Sequence, residues 1–242
     1  ALGLGMGLCS LVPSLILRQP VMVAWSTPGA AVLATAGLAG GFSMGEAVGA
    51  FMVSAVLIAL AGVTRWFERV MNRIPMEIAA ALLAGVLARF GLQAFAAAQT
   101  ALPLVLLMLL VYLVGKRLWP RYAVLGVLIS GTAVAAAQGL LDTQQLHWQL
   151  AAPVWVTPAW SWQAVLGMGL PLFIVTMASQ AVPGVSAIRV SGYQPPVSPL
   201  MSWSGITTVL LAPFGGYAFN LAAITAAIVL NPHAHPQRTQ RY

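Results

Sequence analysis

The sequence predicts an all-α integral membrane protein, a polytopic helical bundle with inverted repeats, and three observations lead there. The 242 residues are 60% hydrophobic and only 6% charged, with a mean hydropathy of +0.89, against about 25% charged residues in an ordinary soluble domain. Apolar runs long enough for membrane spans recur from end to end. Two of those runs are interrupted in their middles by Gly and Pro.

A helix needs about 20 apolar residues to cross the hydrocarbon. Spans are read at 1–17, 20–38, 43–64, 75–95, 100–115, 119–140, 163–188, 198–213 and 217–230. The strand alternative requires segments of alternating polarity, which are absent. Lipid-exposed loops and open sheet edges would leave backbone groups unsatisfied.

Basic residues set the orientation. Arg18 follows the first span; Arg65, Arg69 and Arg73 the third; Lys116, Arg117 and Arg121 the fifth; Arg189 the seventh; Arg238 and Arg241 the ninth. Every one of the eleven Lys and Arg residues except Arg89 thus falls in alternate connections, and the positive-inside rule makes those connections cytoplasmic. One missed helix would scramble the alternation. The connection 141–162 is then external, with Trp148, Trp155, Trp160 and Trp162 as interfacial anchors.

The span 20–38 breaks at Trp25-Ser26-Thr27-Pro28-Gly29. The short span 217–230 follows "APFGGYAFN", residues 212–220, where Pro213, Gly215 and Gly216 forbid a smooth helical entry. Small-residue helices follow both breaks. Interrupted spans at corresponding places in two halves point to a transporter site built on inverted repeats, and the loop count runs these two spans in opposite directions. Half-helix starts are therefore expected near Thr27–Ala30 and Tyr217–Asn220, facing each other near mid-membrane. A helix start carries about half a positive charge and several unpaired N–H donors, so two starts aimed at one cavity hold a carboxylate without any Arg or Lys. Pro28 suits a first helical turn, and Gly29 allows close approach. The plain alternative is a proline kink with ordinary packing.

The span 163–188 adds Thr176, Ser179 and Gln180 within about one helical turn, followed by a break expected at Pro183-Gly184. An amide in an apolar span is costly without partners. Gln180 either bonds a neighbouring helix or contacts substrate.

Three stretches carry a resemblance: "PVMVAWSTPGAAVLATAG", "MASQAVPGVSAIRVSGYQPPVSPL" and "LLAPFGGYAFNLAAITAAI" with the later "HAHP" and "RY". They resemble the benzoate:proton symporter (BenE-type) transporters of bacterial inner membranes, over essentially the whole chain. The resemblance implies a nucleobase- and sulfate-permease-like architecture of two inverted repeats of seven spans. Residues 1–242 would be one transporter domain, a fragment of a 14-span fold. About 1–140 would supply spans two to seven of the first repeat, and about 163–242 spans eight to ten of the second. It also implies substrate between the broken third and tenth spans, beside the eighth. The substrate-binding residues are then Trp25, Ser26, Thr27, Gly29, Ser179, Gln180, Tyr217, Phe219 and Asn220. Nucleobase carriers place carboxylates where Gln180 and "GYAFN" stand here, and their replacement suits an anionic substrate, which a carboxylate would repel.

The remaining ionisable groups are few. Glu68 sits among arginines, Glu77 opens a helix and Asp142 lies in the outer connection. Glu46 stands three residues after Ser43, a capping-box spacing, with proton relay as the other reading. Arg89 lies inside a span, near enough to its outer end to snorkel, and is kept for attracting anions. Cys9 is the single cysteine, His233 and His235 lack companions for a metal site, and the first apolar segment, without a basic leader, is not expected to be a cleavable signal peptide.

The expected function is import of benzoate or a similar aromatic carboxylate with a proton, by a multi-pass protein of the bacterial inner membrane, using no cofactor. Its partners are substrate, proton and membrane lipid, with a homodimer left open and no nucleic acid. An anion channel, a carrier of another small organic anion and a carrier of a nucleobase-like molecule are the alternatives. An intramembrane hydrolase using Ser26 or Ser179 would need a His or Lys at membrane depth, and the spans hold none.

Overall fold

A computed structural model describes residues 1–27, 41–120, 122–141, 154–223, 225–231, 235, 237 and 240. In chain order its elements are α1 (Leu2–Leu17), β1 (Val23–Trp25), α2 (Met44–Val63), α3 (Trp66–Met71), α4 (Met76–Leu118) and α5 (Ala123–Ala137). After these come α6 (Trp162–Val190), α7 (Val197–Leu211), β2 (Phe219–Leu221) and α8 (Ala226–Val229). Among the described residues, four helices are long and apolar enough to cross a membrane: Met44–Val63, Gly91–Leu118, Trp162–Val190 and Val197–Phe214. The helical membrane class is therefore as the composition dictates, but the all-α expectation needs correction by two three-residue strands.

The chain divides into two compact units, Ala1–Ala84 with Ala152–Tyr242, and Gly85–Ala151. In the second unit, the C-terminal part of α4 and α5 form a helical hairpin whose tight turn is closed by the Tyr122 N–H donating to the Trp119 carbonyl, 2.9 Å. Small residues set its spacing: a Cβ on Gly115 would lie 3.2 Å from the Cα of Ala123. Helix continues through 96–99, where a connection was expected, and the interruption falls instead at Ala101 (φ −138°, ψ 53°). Pro103 accounts for that position, because its ring and missing N–H disrupt the turn before it.

The first unit contains the paired strands. Its core gathers Cys9, Val23, Ile58, Phe67, Met71, Met177, Ala181, Val185, Met201, Phe219 and Leu221 from α1, α2, α3, α6, α7 and both strands. Ser43 caps α2 in a complete capping box: its hydroxyl accepts from the Glu46 N–H at 3.3 Å, and the Glu46 carboxylate accepts from the Ser43 N–H at 2.9 Å. α2 packs closely on α7 because Gly205 brings the backbones together; a Cβ there would lie 2.7 Å from the Ala59 nitrogen.

α6 runs helically from Trp162 to Val190, so the break expected at Pro183-Gly184 does not occur. Two widened π-helical turns, Val165–Gly169 and Met177–Ala181, each end two residues before a proline, Pro171 or Pro183. A proline in a helix lacks its N–H and crowds the carbonyl one turn back, and a π turn absorbs that misfit without ending the helix.

Extended residues 154–161 lie against the start of α2. The Ala159 N–H donates to the Gly45 carbonyl at 2.9 Å, and the Val156 N–H to the Pro213 carbonyl at 2.8 Å. Trp155 meets the Phe214 ring edge-on at 5.0 Å.

Candidate functional site

The two interrupted segments come together. β1 and β2 pair antiparallel in the register Val23↔Leu221, Ala24↔Asn220 and Trp25↔Phe219. The pairing extends one step at each end, with the Ser26 N–H donating to the Ala218 carbonyl and the Ala222 N–H to the Met22 carbonyl, both at 3.0 Å. Buried backbone groups need partners. Each strand supplies the other's.

This pairing corrects one expected boundary. Thr27 is helical, while Pro28, Gly29 and the rest of 28–40, on which the expected start at Thr27–Ala30 falls, lie outside the described residues. In the other segment, Phe219–Leu221 is strand, and α8 begins only at Ala226. A half-helix start at Tyr217–Asn220 is therefore wrong: hydrogen bonding to β1 holds those residues extended. Ala218 makes the turn into β2 with φ 60°, a left-handed conformation that costs a non-glycine residue energy. Its carbonyl accepts both the Ser26 N–H and the Asn220 side-chain amide, each at 3.0 Å.

α6 lies along this pair and brings its polar residues to the end of β1. The hydroxyls of Ser26 and Thr176 are 3.3 Å apart, both fully buried. The Gln180 amide nitrogen donates to the Thr27 hydroxyl at 3.4 Å. Thr176 and Gln180 sit one turn apart, and the π-helical turn Met177–Ala181 begins just after Thr176 and includes Gln180, so the widened turn determines which side chains of α6 face β1. Ser179 does not join them; its hydroxyl donates to its own helix, to the Val175 carbonyl at 2.6 Å.

The aromatic residues separate. Tyr217 stacks on Phe51 of α2 with centroids 4.6 Å apart and planes 15° from parallel, on a small apolar cluster of Phe51, Leu172 and Ala218. Trp25 is 38% exposed. Phe219 is wholly buried in the core, which removes it as a substrate-stacking residue in this conformation: its ring fills the space left by Gly5, where an added Cβ would collide with it. Asn220 is also buried; its Oδ1 has no hydrogen-bond partner, an energetically costly state for an acceptor.

Of the two charged residues singled out, Glu46 is engaged in the capping box, where its carboxylate also accepts from the Ser43 hydroxyl at 2.9 Å. The side chain of Arg89 lies outside the described residues. Among the described residues no cluster of His, Cys, Asp and Glu could hold a metal.

Residues that sequence pattern alone did not mark also shape the site: Ser10, Ser14, Phe51 and Thr208. Thr208 accepts the outward N–H of Phe219 at 3.3 Å. Each looks like an ordinary small or apolar residue of a span, and only proximity gives it a task. Elsewhere, Arg189 at the end of α6 donates to the Asn72 side chain at 2.7 Å and to the Met71 carbonyl at 3.2 Å. It lines a cleft of about 610 Å³ with Glu68, Tyr193 and Gln194.

The fold and site define a helical membrane protein in which two interrupted apolar segments meet as a strand pair beside an uncharged polar patch. Residues 1–242 match the family model described as benzoate membrane transport protein, BenE, and the chain belongs to that family. The family is one of transport proteins, not of enzymes. Two curated relatives are similar over all 242 residues: "Inner membrane protein YdcO" of Escherichia coli, 48% identical, and "Benzoate membrane transport protein" of Acinetobacter baylyi, 37% identical. The chain spans 61% of the length of each.

Proposed function

We propose that the protein imports benzoate, or a closely similar aromatic carboxylate, with a proton across the bacterial inner membrane by alternating access. The observation that carries this reading is the meeting of Gln180 with Thr27 and of Thr176 with Ser26 at the end of the β1–β2 pair. Hydroxyl and amide donors of this kind bind a carboxylate. Residues 20–30, 172–184 and 212–226 contain no Asp, Glu, His, Lys or Arg, so an anion there meets no like charge and no permanent counter-ion that would retain it. The Phe51–Tyr217 stack offers an apolar wall for a ring. Family membership and the names of the two relatives support substrate and membrane.

Coupling to a proton follows from charge. A lone anion entering an inside-negative cell works against about 2.3 kcal/mol per 100 mV, and one proton moving with it cancels that penalty. The positive-inside rule, applied to Arg65, Arg69, Arg73 and Arg189, supports a cytoplasmic side for the α2–α4 and α6–α7 connections.

Labelled benzoate uptake by the purified protein in proteoliposomes tests this. Accumulation above equilibrium, driven by an acidic exterior and absent for neutral benzamide, is expected. Equilibration without accumulation, indifferent to the pH gradient, would identify a channel instead.

A further inference from the structure

We infer that α1 is a positioning element of the transport site, in which Ser10 and Ser14 hold the outer edge of β1 in register as a third strand would. This inference rests on the proposed site at Ser26 and Thr27, and the geometry behind it is independent of any substrate.

In an antiparallel pair, alternate residues of each strand turn their N–H and C=O groups away from the partner. Along β1 and the residues just before it, those positions are Val21, Val23 and Trp25, since the even-numbered Met22 and Ser26 bond to the β2 segment; Val21 and Val23 are buried. Such an edge needs partners where water is absent. α1 supplies them. The Ser14 hydroxyl accepts the Val21 N–H at 3.0 Å and donates to the Val21 carbonyl at 3.1 Å. The Ser10 hydroxyl does the same for Val23, at 3.0 and 3.2 Å.

The spacing explains why a helix can replace a strand here. Residues four apart on a helix share a face and rise by about 6.0 Å. Residues two apart on a strand advance by about 6.6 Å. Two hydroxyls at i and i+4 therefore match two consecutive outward positions of a strand. Each hydroxyl engages both polar groups of one residue, so a slip of β1 by one residue would break all four bonds.

These serines differ from several other hydroxyl residues of the helices. Ser179, Ser186 and Thr208 donate to carbonyls four residues back in their own helices, the usual resolution in such surroundings. Ser10 and Ser14 direct their donors across to β1. The next position on the same face is Met6, which has no hydroxyl, so this ladder ends at Val23. Trp25, Ser26 and Thr27 then project from an anchored strand toward Gln180 and Thr176. Val21 and Val23 thus move with α1, and the site's first residues move with them.

The test uses the complete protein in proteoliposomes with Ser10→Ala, Ser14→Ala and the double variant. The KM for benzoate is expected to rise by roughly tenfold for each single change, because a buried N–H and C=O are left unpaired. Ser10→Thr, which keeps the hydroxyl, is expected to restore the parent KM. Backbone hydrogen exchange supplies a second readout: protection of Val21–Trp25 is expected to fall in the alanine variants, while that of Met44–Val63 holds. A parent KM in both single variants would overturn the inference, as would an equal loss of protection throughout the chain, which would make the serines ordinary packing residues. If the double variant does not fold, the single variants decide. If the unaltered protein moves no benzoate, the functional proposal fails, and local against global loss of protection still decides the role of Ser10 and Ser14.

Discussion

The Gln180 side chain donates to the Thr27 hydroxyl at 3.4 Å across 153 positions of sequence. This contact ties the π-helical turn of α6 to the first helical residue after β1. Its donor is neutral, and a donor is what a carboxylate requires. Gln180→Glu keeps the size and replaces an amide with a negative charge. Loss of benzoate binding at neutral pH, with the protein still folded, is the expected outcome by direct binding and uptake assays. Unchanged affinity would remove Gln180 from the site.

Gly184 lets α6 touch β2. A Cβ there would lie 2.7 Å from the Leu221 carbonyl oxygen, so Gly184→Ala must push strand and helix apart. The expected result is lost transport and a thermal transition in detergent lowered by several degrees, as for other overpacked sites costing about 1–3 kcal/mol. A fully active Gly184→Ala protein would show that this approach is not needed.

The Phe51–Tyr217 stack divides into volume and ring geometry. Phe51→Leu keeps most of the volume and forfeits about 0.5–1.5 kcal/mol of aromatic pairing, and uptake should continue with a modestly raised KM. Phe51→Ala opens a cavity costing about 3–5 kcal/mol, and should lower yield and stability outright. Equal behaviour of the two variants in uptake and melting assays would contradict this division.

Glu46 closes the capping box with Ser43. Glu46→Gln retains the capping geometry, so proton-driven accumulation of benzoate is expected to persist in that variant. Loss of the response to a pH gradient, with downhill benzoate movement intact, would return Glu46 to proton coupling.

Orientation is open to cysteine labelling in a Cys9→Ala background. Arg69→Cys should resist an impermeant reagent applied from outside, and Trp155→Cys, at an exposed position, should react. External labelling at position 69 would invert the topology and with it the direction of the proposed import.

Composition and apolar run length determined the membrane class, and Pro and Gly the interruption at Pro213–Gly216, because partition into lipid and breakage by Pro and Gly are local properties. The capping box at Ser43 and Glu46 was legible for the same reason, its partners being three residues apart. Tertiary structure decided the rest. Extended residues at Phe219–Leu221 replaced an expected helix start, since a strand that short exists only where a partner satisfies its backbone, and β1 lies nearly two hundred residues earlier in the chain. Pro183 did not break α6, because a π turn accommodated it. Ser179 turned back on its own helix while Thr176, one turn earlier, reached Ser26, and only the phase of that widened turn separates the two. Ser10 and Ser14 show no distinguishing pattern in α1; their role exists because Val21 and Val23 leave an edge that a membrane interior cannot hydrate.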